Sequence, residues 1–122
     1  IAQGQIDAEE AAASRARRVV FCDTDLLTNV LWDDLLYHTC PDWVRAEAKK
    51  RSRRYAVYLL CLTDIPFEYD PQRSFPDEAG RAMCMRLWRE TLEQRRLPYV
   101  EIRGDWTERE ARAIAAVDAL LI

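Results

Sequence analysis

The sequence predicts an α/β fold in which a parallel β-sheet lies between layers of helices. Three short apolar segments alternate with longer segments of helical periodicity along the 122 residues. The apolar segments have the character of strands that are buried in a parallel sheet. The predicted order is helix, strand, helices, strand, long loop, helix, strand and helix. This order favours a three-layer α/β/α arrangement.

The first half of the chain is predicted to contain helices around one strand. Residues 5–17 are rich in alanine and glutamate, contain no helix breaker, and predict a helix. Residues 19–22 form the apolar run VVFC, which predicts a buried parallel strand. Residues 26–38 carry apolar side chains at helical spacing, and a further helix follows to residue 54, with Asp42 as its N-cap.

The second half begins with a longer strand and a long loop. Residues 56–62, AVYLLCL, predict a strand that is apolar on both faces. The loop at about 63–77 contains three prolines and has no periodicity. Loops of this length in compact domains are usually functional lids or disordered segments. We expect residues 1–122 to form a single, partial domain in which this loop is the lid.

The end of the chain returns to alternating elements. Residues 78–96 predict an amphipathic helix, and residues 99–102, YVEI, predict the third strand. The last helix is predicted over residues 108–121, with Thr107 and Glu110 as its capping box.

Bulk composition restricts the possible partners. The formal net charge is -3 and the sequence pI is about 5.2, which gives no basic face for nucleic-acid binding by this segment. No apolar run is long enough to cross a membrane. The four cysteines have no metal or redox spacing, so we expect reduced thiols in a cytoplasmic protein. The basic run KKRSRR at residues 49–54 is interpreted as a solvated helix face.

Acidic residues follow the first predicted strand, where ligands bind in parallel sheets. An aspartate held just beyond a buried strand, such as Asp23, is placed to bind magnesium beside a transferring phosphoryl group. Asp25 would share that ion or accept a hydrogen bond from a substrate hydroxyl. The alternative is that Asp23 or Thr24 only caps the helix that begins near Leu26.

The two later loops add residues suited to a nucleotide. Asp70 and Arg73 lie three positions apart in the long loop, and the planar guanidinium of an arginine is well suited to phosphate oxygens. The alternative for them is a surface ion pair. Gly104 and Asp105 turn the chain after the third strand, and the Trp106 ring is placed to lie against an adenine.

Three stretches of the sequence together resemble a known family, the NadR-like ribosylnicotinamide kinases, which are P-loop proteins grouped with AAA-type ATPases. These stretches are VVFCDTDLLT, YAVYLLCLTDIPFEYDPQR and LPYVEIRGDWTEREARAIAAV. The resemblance implies phosphorylation of nicotinamide riboside by ATP with Mg²⁺ in NAD salvage. It implies a magnesium aspartate at Asp23, the second acid of the same motif at Asp25, a lid motif at Asp70 and Arg73, and a loop beside the adenine at Gly104 and Asp105.

The sequence departs from this family in lacking the phosphate-binding loop. No G-x-x-x-x-G-K-[ST] motif is present, although that loop supplies the backbone cradle and the lysine that bind phosphates. We expect that loop to lie upstream of the sequence given, and the isolated chain to be inactive. The alternative function is a non-catalytic nucleotide-binding regulatory domain. Attached domains or a homo-oligomer are possible partners in the full protein.

Overall fold

The structure is a computed structural model that describes residues 1–65, 71–72, 74–75 and 77–121. The chain divides into two compact units, Ile1–Tyr55 and Ala56–Ile122. None of the helices in the described part of the chain combines the length and the apolar character that a membrane span needs.

The first unit is formed by three helices: α1 (Ala2–Arg15), α2 (Leu26–Tyr37) and α3 (Asp42–Ser52). The predicted helical spacing holds in the first half of α2, where Leu27, Val30 and Leu31 are buried, whereas the Leu35 side chain is half-buried. The core of this unit joins all three helices and consists of Ile6, Leu26, Val30, Cys40, Val44 and Ala48.

The connection between α2 and α3 differs in detail from the prediction. His38 ends α2 in the left-handed conformation, with φ 57°. Pro41, not Asp42, is the N-cap of α3, and Asp42 is its first helical residue. Proline's fixed φ suits the entry to a helix, and an acidic side chain in the first turn interacts favourably with the helix dipole.

The strand predicted over residues 19–22 is wrong. These residues form no regular secondary structure, and Val19 and Phe21 are 42% and 67% exposed. A strand is stable only when its backbone groups pair with a neighbouring strand. The described residues of the first unit contain no strand that would serve as that partner.

The second unit contains two strands and two helices: β1 (Tyr58–Cys61), α4 (Glu78–Gln94), β2 (Tyr99–Ile102) and α5 (Trp106–Leu120). The strands pair in parallel, from Tyr58 opposite Tyr99 to Cys61 opposite Ile102. The parallel pairing predicted from the sequence is therefore confirmed, as a small sheet of two strands in the described residues.

Both helices of the second unit start at capping aspartates. Asp77 caps α4 by accepting a 2.6 Å hydrogen bond from the Gly80 amide. Asp105 caps α5 by accepting a 2.8 Å hydrogen bond from the Glu108 amide. The predicted capping box of Thr107 and Glu110 is wrong, because the helix already begins at Trp106.

Candidate functional site

The acidic turn at residues 23–25 has an unusual backbone. Thr24 has φ 71°, which is rare for a β-branched residue and costs about 1–3 kcal/mol. A conformation of this kind persists only where its surroundings fix it. The Gln5 side chain of α1 donates a hydrogen bond of 3.3 Å to the Thr24 carbonyl, so the helix before the turn helps to hold it.

Asp25 is buried and forms the N-cap of α2. Its Oδ1 accepts hydrogen bonds from the Thr28 amide at 3.1 Å and from the Thr28 hydroxyl at 3.0 Å. The Asp25 amide donates to Thr28 Oγ1 at 3.3 Å, which completes a capping box. The helix is therefore capped by Asp25, and not by Asp23 or Thr24. One oxygen of the Asp25 carboxylate is engaged in this cap.

Asp23 differs from Asp25 in exposure and bonding. Its side chain is exposed, and within the described residues no hydrogen bond or ion pair engages its carboxylate. Magnesium prefers oxygen ligands, keeps several waters, and often binds through only one or two carboxylates. The described residues bring no group of three metal-ligating side chains together. The free carboxylate of Asp23 fits an ion that is otherwise held by water and phosphate.

Neutral groups lie near this turn. Burial raises the pKa of Tyr55 far above its ordinary value, and the neighbouring Glu9 carboxylate acts in the same direction. Burial also raises the pKa of the Cys22 thiol. Both groups are therefore protonated at neutral pH, and Cys22 lacks the thiolate that nucleophilic catalysis requires.

In the second unit, the carboxyl ends of β1 and β2 are joined by Arg109. This side chain is only 6% exposed, although it lies on a helix. It donates hydrogen bonds of 2.9 Å to the Leu62 carbonyl and to the Gly104 carbonyl, and forms an ion pair with Asp64. Asp64 also accepts a 2.7 Å hydrogen bond from the Gly104 amide. The Gly104 amide and the Arg109 guanidinium hold the pKa of Asp64 below its ordinary value.

The turn after β2 requires glycine and presents an aromatic ring. Gly104 has φ 97°, and a Cβ there would meet the Cβ of Glu108 at 2.8 Å. Trp106, the first residue of α5, is 72% exposed. The Arg109 guanidinium lies over its ring, 5.9 Å from the ring centroid. The turn therefore carries an exposed aromatic surface that is backed by a fixed cation.

The predicted site residues fall into three groups. Asp23 and Asp25 share one turn of the first unit, and Gly104, Asp105 and Trp106 share one turn of the second. Asp70 and Arg73 lie outside the described residues.

The sequence analysis missed Asp64 and Arg109. One local signal existed, because a basic residue in the first turn of a helix opposes the helix dipole and implies a compensating partner. The identity of that partner, 45 residues away, had no local signal.

Comparison with known proteins identifies the family. No curated protein and no solved structure matches the chain significantly. Residues 1–109 match a family described as AAA domain, which is a family of nucleotide-binding P-loop proteins. Because this match covers most of the chain, the chain belongs to the AAA domain family.

Proposed function

We propose that the protein binds ATP with magnesium and transfers a phosphoryl group to the hydroxyl of a nucleoside, with nicotinamide riboside as the first candidate. Membership of the AAA domain family supports the nucleotide part of this proposal. The observation that carries the rest is the acidic turn at residues 23–25. Its strained backbone is held by Gln5 while Asp23 stays exposed, and strain of this kind is concentrated at functional sites.

The two aspartates of the turn have different roles in this proposal. Asp23 holds the magnesium ion, directly or through water, because its carboxylate is exposed and not otherwise bonded. Asp25 fixes the turn as the N-cap of α2, and it is the second acid of the turn beside the substrate and the ion. Magnesium, when bound, neutralises charge on the phosphates during transfer.

Asp70 and Arg73 are assigned from the sequence alone, and Trp106 is assigned from the sequence and from its exposure. Asp70 and Arg73 bind substrate and phosphate from the loop at about 63–77, and Arg73 supplies positive charge to the phosphoryl group. Trp106 stacks on the nucleobase, and Gly104 and Asp105 shape the turn that presents it. The same proposal takes residues 1–122 as part of one three-layer α/β/α domain of the P-loop type.

The test is a phosphotransfer assay with the natural full-length protein. ATP, Mg²⁺ and a panel of nucleosides that includes nicotinamide riboside are incubated with the protein, and nucleoside monophosphates are measured by mass spectrometry. We expect one nucleoside to be phosphorylated, and Asp23→Asn to lower the rate by about 10- to 100-fold, as for other groups that tune a bound metal. The matched control is Asp118→Asn, which removes an exposed carboxylate on α5 and is expected to leave the rate unchanged.

Two results would contradict the proposal. Full activity of Asp23→Asn would remove Asp23 from the metal site. ATP binding without phosphorylation of any nucleoside would favour the regulatory, non-catalytic alternative.

A further inference from the structure

We propose that Arg109 is a positioning residue that holds the Trp106 indole as one wall of a site for a neutral purine base. This inference rests on the proposed function, since it takes the ligand to be the base of ATP. It goes further in two ways: it names the residue that holds the ring in place, and it names the charge of the base that the ring accepts.

The first step is the rigidity of Arg109. Its guanidinium donates to two backbone carbonyls, one just after β1 and one just after β2, and it pairs with the Asp64 carboxylate. A planar guanidinium held at three acceptors has little rotational freedom. Its 6% exposure means that solvent does not compete for these contacts. The side chain is therefore a fixed part of the edge of the sheet.

The second step is the contact with Trp106. Arg109 follows Trp106 by three positions on α5, which places both side chains on the same side of the helix. The guanidinium lies 5.9 Å from the ring centroid, within the range of a cation–π interaction. The indole nevertheless remains 72% exposed, so a second flat ring has access to it. Arg109 thus restrains an aromatic surface that the protein itself leaves open.

The third step concerns charge. A cationic ring, such as the pyridinium of nicotinamide riboside, would interact unfavourably with the guanidinium through the indole. A purine base is neutral at pH 7 and lacks this repulsion. The Asp64 carboxylate offsets part of the guanidinium charge, so the contribution of Arg109 is a modest preference for a neutral base over a cationic one at Trp106.

The experiment uses calorimetric titration of the natural full-length protein with ATP and, separately, with inorganic tripolyphosphate, both with Mg²⁺. Tripolyphosphate carries the phosphates without a base. We expect Trp106→Ala to weaken ATP binding about tenfold, as for other bases stacked on aromatic rings. Trp106→Phe should recover most of this loss, because it keeps an aromatic face. Neither variant should change tripolyphosphate binding.

Arg109→Met tests the positioning role itself. We expect it to weaken ATP binding about three- to tenfold, with tripolyphosphate unaffected, because a general structural defect would weaken both ligands. In the Trp106→Ala background, Arg109→Met should cause no further loss, since Arg109 acts through the ring. If Arg109→Met does not fold, Arg109→Lys replaces it in the double-mutant cycle with Trp106→Ala. Lysine keeps the positive charge but lacks the planar guanidinium.

The outcomes separate this inference from the proposed function. ATP binding that is unchanged in the Arg109 variants, or additive losses in the double variant, would overturn the positioning role and leave ATP binding intact. Nicotinamide riboside is titrated in the same way. If Trp106→Ala weakens the binding of nicotinamide riboside and leaves ATP binding unchanged, the neutral-base assignment is overturned. If the wild-type protein binds no ATP, the proposed function and the base site fail together. The ¹⁵N relaxation of the Trp106 indole N–H, measured without ligand, then decides whether Arg109 restrains the ring.

Discussion

Replacement of Asp25 by alanine tests whether this residue is primarily a helix cap. Asp25→Ala removes the Oδ1 atom that accepts hydrogen bonds from the Thr28 amide and hydroxyl, at 3.1 Å and 3.0 Å. Loss of an N-cap costs about 0.5–2 kcal/mol, and leaving buried donors unsatisfied adds to this. We expect the free energy of unfolding to fall by about 2 kcal/mol. For a domain of this size, that corresponds to a decrease in Tm of roughly 8 °C.

The assay is urea unfolding followed by circular dichroism, with two comparison variants. Asp25→Asn keeps an acceptor oxygen, and asparagine is as good an N-cap as aspartate, so its stability should lie within about 0.5 kcal/mol of wild type. Asp23→Ala removes an exposed carboxylate two residues away, and should also change stability by less than about 0.5 kcal/mol. The reasoning is refuted if Asp25→Ala is as stable as wild type, or if Asp25→Asn is as unstable as Asp25→Ala.

Three further predictions concern stability. Leu27→Ala should lower the free energy of unfolding by about 3 kcal/mol in urea titration, since Leu27 is 0% exposed. A loss below about 1 kcal/mol would contradict its complete burial. Gly104→Ala should lower the free energy of unfolding by about 2 kcal/mol, because alanine is strained at φ 97° and its Cβ would meet Glu108. The measurement is a thermal melt, and an unchanged Tm would contradict this prediction. The lowered pKa of Asp64 means that its stabilisation is present above the ordinary value of 3.8 and is lost as the pH falls through the folded value. Asp64→Asn should therefore reduce the loss of stability as the pH falls below about 4, and an unchanged loss in this acid range would contradict the assignment.

Elements with strong periodicity were predictable from the sequence. Strand β2, Tyr99–Ile102, has the bounds that were predicted for the third strand, and α4 begins at the predicted Glu78. The strand predicted over residues 56–62 shortens to Tyr58–Cys61, because its pairing is limited by the four residues of β2. In this case the apolar content predicts the strand correctly, and the length of the partner strand determines where it ends.

Residues 19–22 show the opposite case. The run VVFC is apolar and β-favouring, but backbone pairing is a property of two segments, and the described residues of its unit contain no partner strand. A single segment therefore gives no information on whether its pairing will be satisfied.

The candidate site was predictable only where its signals are local. The acidic turn is identified from the sequence, but the caps expected there for α2, Asp23 or Thr24, are not the residue that caps it. Thr28 selects Asp25, because a capping box needs an N-cap residue three positions before its partner. The network of Asp64, Gly104 and Arg109 joins residues 40 and 45 positions apart, and no periodic pattern encodes such contacts.

The most direct test of the central claim is the magnesium dependence of ATP binding. The claim is that the exposed Asp23 carboxylate, on its strained turn, holds the magnesium ion of a bound nucleotide. ATP is titrated calorimetrically into the natural full-length protein, with Mg²⁺ and with a chelator, for wild type and Asp23→Asn. We predict that Mg²⁺ strengthens ATP binding in wild type, and that Asp23→Asn reduces this gain by about 10- to 100-fold. An equal gain in both proteins would contradict the claim.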